Sequence, residues 1–430
     1  MKTKTVLITL VSLLLLTTTD LMAQSTKDLK ATQKYLKSLG KEYTLKELKT
    51  LKELTFHDKE VTDAGLAVLS HLKNLRKLYL AGFDDVSAKG LLHLKKLGKL
   101  EALGLADIMR QEEKKLLILL KDFKNLKYLD ISAAPVSQPN DELNDANLIY
   151  LKDLKKLESL HLRFRREING AGLAHLKGLK NLRELDLTGT NISDDSLVYL
   201  KPFKKLQTLD LSGTALSDVG LVHLKVLKNL RSLNLWRTHI TNDGLIHLKE
   251  LKNLEELTIG ESRSDSKPQD EDDRKWPLTE PINDAGLFHL KEMRNLKKLH
   301  LIITFSDEGL VHLKKLTSLQ ELELNMTGVT DAGLVHLKAL KSLKQLDLGG
   351  TQVTDKGLVH LKALKSLQNL DLADTKVTDK GLVHLKALKS LQNLDLAFTK
   401  VTDKGLVHLK ALKSLQSLDL GSTKVTDKGL

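Results

Sequence analysis

Hydrophobic residues recur along this chain with a fixed period. The stretch Leu367–Ser390 reads LQNLDLADTKVTDKGLVHLKALKS. The next 24 residues, Leu391–Ser414, differ from it only by Phe398 in place of Asp374. Within this unit, L-x-x-L-x-L has the alternation of a short strand, and G-L-V-H-L-K-A-L-K has the leucine spacing of a short helix. One strand and one helix cannot bury both apolar faces alone, so the pattern predicts stacked repeats.

The strand motif recurs 15 times, and most steps are 24 residues. Its first leucines are Leu51, Leu75, Leu100, Leu126, Leu157, Leu182, Leu206, Leu230, Leu254, Leu296, Leu319, Leu343, Leu367, Leu391 and Leu415. Two steps are much longer, 31 residues from Leu126 to Leu157 and 42 from Leu254 to Leu296, because segments 133–143 and 261–281 are inserted between strand and helix. We expect both inserted loops on one rim of the solenoid, and the acidic, proline-containing composition of the second favours a flexible loop. The sequence therefore predicts one repeat domain over residues 51–430.

The segment before the repeats has two parts. Residues 1–23 are typical of a secretory signal peptide, with a basic start, an apolar run of 11 residues and Ala23 before Gln24. An uncleaved anchor is the alternative interpretation, but the run is too short to span a bilayer comfortably. No later segment has the length of a membrane span. Residues 24–50 are predicted to be an N-terminal helical cap that covers the first leucine layer. We therefore expect an exported protein, periplasmic or extracellular, with no membrane span after signal cleavage.

The chain stops at Leu430, where the helix of a further repeat is due to begin. We expect either that it is a fragment of a longer chain, or that a partner or second copy covers its last leucine layer.

The composition excludes several kinds of chemistry. Cysteine is absent, which excludes disulfides, thiol catalysis and cysteine-ligated metals. No glycine-rich phosphate loop follows a strand, and the acidic run 270–273 lacks the glycine and the final glutamate of an EF-hand. We therefore expect no enzyme activity, no cofactor and no bound metal.

The repeated pattern L-x-x-L-x-L-x-x-T-x-V-T-D-x-G-L resembles the cysteine-containing class of leucine-rich repeats, found in F-box-type and many bacterial exported proteins. The resemblance covers residues 51–430. It implies an α/β solenoid, a curved right-handed coil with a parallel concave sheet and short helices on the convex side. It also implies the binding of proteins.

Threonine replaces the usual cysteine of that class at Thr190, Thr214, Thr351, Thr375 and Thr399. A buried hydroxyl needs a backbone partner, so we expect a ladder of threonine hydrogen bonds between coils. In the segment V-T-D-x-G-L, Thr378 is predicted to cap a helix.

An acidic column follows from the register of the strands. The position between the last two strand leucines is acidic at Asp186, Asp210, Glu323, Asp347, Asp371, Asp395 and Asp419. These side chains should stack on the concave face at about 4.8 Å. Two interpretations stand: aspartate as a well-solvated choice at this position, or recognition of a cationic partner.

Histidine recurs in G-L-x-H-L-K, on a different helix each time. Neighbouring helices lie about 8 to 10 Å apart, too far for their rings to share an ion at bonds of about 2 Å. We expect a packing or surface position.

Departures from the repeat mark a candidate binding surface between the two inserted loops. Trp and Arg are frequent interface anchors. The predicted surface runs from repeat five to repeat nine and comprises His161, Arg163, Asp186, Asp210, Trp236, Arg237 and Glu256. Drift in an old repeat is the alternative explanation. If the surface is correct, Trp236→Ala and Arg163→Ala should weaken binding more than Asp371→Asn and Asp395→Asn.

The sequence thus predicts a secreted, non-enzymatic protein that binds a protein or peptide, possibly cationic in character, through its concave face and strand-exit rim. The alternative is a structural component of an envelope or extracellular layer that acts by self-association. The net charge of +13 suggests a third hypothesis, the binding of nucleic acid. The acidic column and the expected export both oppose it.

Overall fold

A computed structural model of the chain describes residues 25–57, 61–82, 86–107, 113–135, 143–260, 282–303 and 305–429. The predicted signal peptide (residues 1–23), the inserted loop 261–281 and most of the inserted loop 133–143 lie outside the described residues. No helix within the described ranges is both long and apolar enough to cross a membrane.

The chain forms two compact units, divided between Leu182 and Arg183. Within each unit, every strand pairs in parallel with the next one along the chain. The strands of the first unit are β1 (Glu53–His57), β2 (Lys77–Ala81), β3 (Ala102–Ala106), β4 (Tyr128–Asp130) and β5 (Ser159–His161). The strands of the second are β6 (Glu184–Asp186), β7 (Thr208–Asp210), β8 (Ser232–Trp236), β9 (Glu256–Gly260), β10 (Lys298–Ile302), β11 (Glu321–Glu323), β12 (Gln345–Asp347), β13 (Asn369–Asp371), β14 (Asn393–Asp395) and β15 (Ser417–Asp419). These 15 described strands confirm the predicted α/β repeat fold.

Short helices alternate with the strands. The first unit contains α1 (25–38), α2 (Leu45–Thr50), α3 (Asp63–Leu69), α4 (Ala88–Leu94), α5 (Glu113–Leu120) and the 3₁₀ helices Asp145–Leu151 and Ala171–Leu176. The second contains α6 (Asp218–Leu224), α7 (Asp284–Leu290), α8 (Asp307–Leu313), α9 (Leu334–Leu337), α10 (Leu358–Leu361), α11 (Asp379–Leu385), α12 (Asp403–Leu406) and the 3₁₀ helices Asp194–Leu200, Gly244–Glu250 and Leu409–Ala411. One strand and one such helix make a coil of about two dozen residues.

Leucine fills the core of every coil, as the period of the sequence predicts. In the coil that starts at Leu367, both the strand leucines and the helix leucines have at most 2% of their surface exposed. Full burial of one leucine side chain is worth about 1.5 to 3 kcal/mol. The alternation of apolar and polar residues therefore determines which face of each strand turns inward.

The segment before the repeats packs on the first coil. Leu29 and Leu36 of α1 are buried, and the Thr32 hydroxyl donates a hydrogen bond to the Val68 carbonyl at 3.1 Å. The assignment of residues 24–50 as an end cap stays a prediction.

The buried threonines bond within their own coil. The Thr375 hydroxyl donates to the Leu372 carbonyl at 2.6 Å. The same three-residue bond recurs at Thr190, Thr214, Thr351 and Thr399. A backbone partner for each hydroxyl is thus confirmed, but the predicted ladder between coils is wrong. The turn at the strand exit brings the carbonyl three residues back within reach of the hydroxyl, so no neighbouring coil is needed.

Aspartate joins the coils instead. Asp355 accepts hydrogen bonds from the Thr378 backbone N–H and the Thr378 hydroxyl, both at 2.7 Å and both from the next coil. Thr378 also caps α11 by accepting the Lys380 N–H, which confirms its predicted role. The residues that reach the next coil in this way, here called the coil-joining aspartates, are Asp63, Asp145, Asp194, Asp218, Asp284, Asp307, Asp331, Asp355, Asp379 and Asp403.

The glycine of D-x-G-L makes room for this contact. A Cβ atom on Gly381 would lie 2.5 Å from Asp355 Oδ1, and one on Gly357 would lie 2.3 Å from Asp331 Oδ1. Real Cβ atoms essentially never approach so closely. The aspartate of one coil therefore packs against the glycine of the next coil. We call this aspartate–glycine contact the joint between coils.

Candidate functional site

Five acidic side chains stand in one row on the outer face of the sheet in the second unit. Each occupies the position between the last two strand leucines, and the strands place them in register as neighbouring partners. We call the surface around this row the acidic groove; its acidic row is Glu323, Asp347, Asp371, Asp395 and Asp419. It encloses about 410 Å³, and none of the described residues that line it is basic.

The aspartates of the row also serve the fold. One carboxylate oxygen of Asp347 accepts the Gly349 N–H at 2.9 Å, and Asp371 accepts the Ala373 N–H at 2.7 Å. Asn234 makes the equivalent bond to the Trp236 N–H at 3.0 Å. Each side chain thus holds the turn that follows its strand, which explains why Asp and Asn are common in this column. The column is therefore more than a well-solvated surface choice.

The second carboxylate oxygen of these aspartates is unused. For Asp347, Asp371, Asp395 and Asp419, only one oxygen accepts a hydrogen bond within the described ranges of the chain. The other four oxygens have no partner there. They are acceptors available to a ligand in the groove.

The row is electrostatically unfavourable at neutral pH. Burial raises the pKa of Asp347 from 3.8 to about 6, and the charges of Asp371 and Glu323 add to the rise. Burial also raises the pKa of Asp371, with Asp395 contributing. Two carboxylates about 4.8 Å apart repel by roughly 1 to 3.5 kcal/mol for effective dielectrics of about 80 to 20. A bound cation would relieve this repulsion.

Two large apolar side chains follow strands of the groove. Met326 and Phe398 are 63% and 65% exposed. Both have positive φ angles, 56° and 57°, at the position where Gly189 and Gly350 stand in other coils. A non-glycine residue in this left-handed region costs roughly 1 kcal/mol. Met326 and Phe398 therefore lower the stability of the folded protein relative to glycine at the same positions.

One end of the groove departs from the acidic pattern. His300 of β10 stands in the column in register with Glu323, and its Nδ1 lies 3.0 Å from Glu323 Oε2. Lys298 on the same strand lies 3.3 Å from Glu321. Sequence reasoning missed this cluster because His300 was not aligned with the aspartate column. An alignment of all repeats that compares this column with the outward-facing position two residues earlier would have shown His300 beside Glu321 and Glu323.

The predicted site residues of the first unit are His161 and Arg163. His161 is buried, its Nε2 lies 2.8 Å from the Ser159 hydroxyl, and its ring contacts Tyr128. Arg163 is exposed. The histidine therefore offers little surface to a partner.

The other predicted residues lie in the second unit. Asp186 is buried and accepts two hydrogen bonds from Thr188. Asp210 accepts bonds from the Ser212 backbone and hydroxyl and from Asn234. These carboxylates are thus occupied by contacts within the fold.

The aromatic end of that surface is half-buried. The guanidinium carbon of Arg237 lies over the Trp236 ring, 5.5 Å from the centroid of that ring. Both side chains are half-buried. Glu256 is paired with Lys298 at 3.9 Å. Trp236 is the last residue of β8 and is in register with Gly260, the last residue of β9, which begins at Glu256.

The repeated histidines lie on successive helices. His360 and His384 are half-buried, and burial lowers the pKa of both rings, with a smaller effect of a nearby lysine. Among the described residues, none of these column histidines belongs to a group of three potential metal ligands.

Comparison with known proteins agrees with this architecture. Leucine-rich repeat family models match residues 155–216 and, as five consecutive copies, residues 315–338, 339–362, 363–386, 387–410 and 411–430. No curated protein matches the sequence.

Two solved structures are similar in fold. An internalin from Listeria monocytogenes is 22% identical, with a TM-score of 0.53, over 84% of this chain and 89% of its own. A leucine-rich repeat protein of Leptospira interrogans is 21% identical, with a TM-score of 0.52, over 90% of this chain and 95% of its own. The fifteen repeated strands, the matching family models and these two folds lead to one conclusion: the chain is a leucine-rich repeat protein.

Proposed function

We propose that this protein is a non-catalytic scaffold that binds a protein or peptide partner, and that a basic segment of the partner lies in the acidic groove. The leucine-rich repeat fold suggests protein–protein binding. The observation that carries the choice of surface is the row of four unused carboxylate oxygens on β12–β15. They present negative charge to whatever approaches this face.

The dimensions of the row fit an extended segment. From Glu323 to Asp419 there are four strand spacings, which is about 19 Å. An extended chain advances about 3.3 Å per residue, so about six residues cover the row. Lysine and arginine side chains have flexible stems, so they can meet carboxylates at a spacing that differs from their own. A short basic stretch is therefore sufficient.

The electrostatics favour a cation over a neutral ligand. Each ammonium or guanidinium group placed between two carboxylates removes a repulsion that the free protein bears. Because the pKa of Asp347 is about 6, this carboxyl group is mainly ionised at pH 7 and above. Binding should therefore be strongest at neutral to alkaline pH and should weaken with salt.

Apolar contacts add selectivity to the charge. Met326 and Phe398 are exposed and lie three residues after Glu323 and Asp395, beyond the ends of β11 and β14. Aromatic side chains and methionine are enriched in protein interfaces. The partner segment should therefore combine basic residues with at least one apolar residue.

We further propose that the protein acts outside the cytoplasm, in the periplasm or the extracellular medium. The support is the signal-like sequence of residues 1–23. A scaffold exported in this way would meet partners exposed in the same compartment.

Selection of peptides displayed on phage tests the function. Purified protein is used as bait at pH 7.5 and low salt, with an unrelated acidic protein as the control bait. We expect enriched peptides to carry Lys or Arg together with an apolar residue. Enrichment of acidic or uncharged peptides would overturn the assignment of the acidic groove.

A second surface remains a candidate because Trp236 Nε1 is buried without a hydrogen-bond partner in the described part of the chain. A partner that supplies an acceptor would satisfy it. Once a binding peptide has been selected, its affinity for single variants distinguishes the two surfaces. Loss of binding in Trp236→Ala assigns the surface around Trp236. Loss in Asp371→Asn and Asp395→Asn assigns the acidic groove.

A further inference from the structure

We propose that His300, Glu321 and Glu323 form a binding site for a divalent cation of the zinc type at the β10 end of the acidic groove. This proposal does not rest on the proposed partner. It concerns one histidine and two glutamates from adjacent strands, and it applies to the protein alone.

The two strands bring three metal-binding side chains to one point. His300 on β10 is in register with Glu323 on β11, and Glu321 lies two residues earlier on the same face of β11. One ligand atom from each of the three residues lies within 4.8 Å of the others. No other group of three such residues is present in the described ranges.

The observed separations suit a small ion. His300 Nδ1 lies 3.0 Å from Glu323 Oε2, and His300 Nε2 lies 3.8 Å from Glu321 Oε1. Zinc binds nitrogen and carboxylate oxygen at about 2.0 to 2.2 Å with tetrahedral angles, which places its ligand atoms roughly 3.3 Å apart. Only one ring nitrogen of His300 binds the ion, and one ligand atom from each of the three residues already lies within 4.8 Å of the others. Side-chain rotations therefore bring the three ligand atoms around one ion, with a fourth position left for water.

The imidazole ring has a nitrogen that the protein leaves unsatisfied. In the neutral ring that is protonated on Nδ1, the lone pair of Nε2 faces the Glu321 carboxylate, 3.8 Å from its Oε1. Nε2 is shielded from solvent and has no hydrogen-bond partner among the described residues. A lone pair facing a carboxylate is unfavourable, and a cation held by both removes the conflict.

The donor set selects the class of metal. Calcium and magnesium prefer oxygen ligands alone, whereas imidazole nitrogen suits zinc, cobalt and nickel. One histidine and two carboxylates therefore favour zinc over the alkaline-earth ions.

Lys298 competes with the metal. Its ammonium group lies 3.3 Å from Glu321 Oε2 and 3.9 Å from Glu256, and its side chain is half exposed. It neutralises part of the carboxylate charge when no metal is bound. Removing this charge should therefore strengthen metal binding, which an ordinary ion-pair network would not do.

Titration of the metal-free protein with zinc chloride tests the site. The protein is stripped with a chelator and dialysed, and binding is measured by calorimetry, with the visible absorption of cobalt as a second readout. We expect one tight equivalent. His300→Asn, Glu321→Gln and Glu323→Gln should each weaken it at least tenfold, and Lys298→Met should strengthen it at least threefold. Asn234 and Thr258 occupy the same column, so the substitution at 300 should preserve the fold.

The matched control is His384→Asn, which removes a half-buried histidine of the helices and should leave the tight equivalent unchanged. Thermal melting of each metal-free variant checks that it is folded. Absence of a tight equivalent in the wild type, its survival in Glu323→Gln and His300→Asn, or its loss in His384→Asn would each overturn the proposal.

Discussion

Asp347 and Asp371 stand side by side in register on β12 and β13, and burial raises the pKa of both carboxyl groups. Each uses one oxygen to hold the turn after its own strand. The other oxygen faces a row of like charges. Each aspartate thus stabilises the turn through its hydrogen bond, whereas its negative charge destabilises the folded protein. Substitution by asparagine separates the two effects, because asparagine keeps the oxygen and removes the charge.

Asp347→Asn should stabilise the protein at neutral pH. Asparagine keeps an oxygen for the Gly349 N–H, as Asn234 does for Trp236, but it removes the charge. Because the folded-state pKa lies near 6 and the reference value is 3.8, the folded protein holds a proton between about pH 4 and 6 that the unfolded chain releases. Stability of the wild type therefore falls as the pH rises through this window.

We expect the variant to gain about 1 kcal/mol at pH 7.5, after allowance for solvent screening of a half-exposed group, and to lose this advantage near pH 4. Urea unfolding at both pH values measures it. Asp243→Asn is the control and should change little, because Asp243 is exposed and its side chain makes no capping hydrogen bond to the 3₁₀ helix that follows it. An Asp347→Asn variant less stable than the wild type at pH 7.5 would contradict the assigned electrostatics.

The joint between coils predicts a non-additive pair of mutations. Asp355→Ala removes both hydrogen bonds to Thr378 and should cost about 2 to 3 kcal/mol. Gly381→Ala should also destabilise, because its Cβ would meet Asp355 Oδ1 at 2.5 Å. In the double variant the carboxylate is gone, so the added cost of the alanine should shrink.

A double-mutant cycle measured by urea unfolding reports this coupling. Lys356→Ala is the control, since it changes the neighbouring residue of the same motif and should add simply to either mutation. Additive costs for Asp355→Ala and Gly381→Ala would refute the idea that the two residues form one joint.

Phe398 should be a site where stability and binding oppose each other. Its φ angle of 57° is one that glycine adopts freely, and Gly350 occupies the same position two coils earlier. Phe398→Gly should therefore raise the free energy of unfolding by about 0.5 to 1 kcal/mol. If the side chain contacts the partner, the same variant should weaken binding of a selected peptide. A variant that is less stable and binds as well as the wild type would mean that the phenylalanine serves the fold.

The N-terminus can be checked directly. Protein recovered from the native host should begin near Gln24, because the signal-like segment is expected to be cleaved there. Intact mass and N-terminal sequencing measure this. A cytoplasmic pool that retains Met1 would show that the segment is not cleaved for export.

The sequence was sufficient for the fold because leucine spacing alone determines which face of each strand and helix turns inward. It also predicted the cap formed by Thr378. It failed for Thr375, since a hydroxyl at a buried position shows the need for a partner but not which carbonyl the turn brings close. The role of Asp355 was missed for the same reason, because a residue in the first turn of a helix can reach the next coil only once the coils are stacked.

For the candidate site, the acidic column was visible in the sequence. The unused oxygens and the raised pKa of Asp347 were not, because they depend on side-chain geometry and burial. The residue type of Trp236 predicts an interface anchor, whereas in the structure its side chain is half-buried and Arg237 lies over its ring.

Fluorescence anisotropy with a labelled decapeptide that alternates lysine and leucine tests the central claim most directly. The proteins compared are the wild type, the groove variant Asp347→Asn/Asp371→Asn/Asp395→Asn, and a control of equal net charge, Asp195→Asn/Asp243→Asn/Glu308→Gln. The changes in the control lie at exposed positions in helices or at a helix start. At pH 7.5 the groove variant should bind the peptide at least tenfold more weakly than the wild type, while the control binds within twofold. Equal affinity in the groove variant and the control would contradict the assignment of the acidic groove as the binding surface.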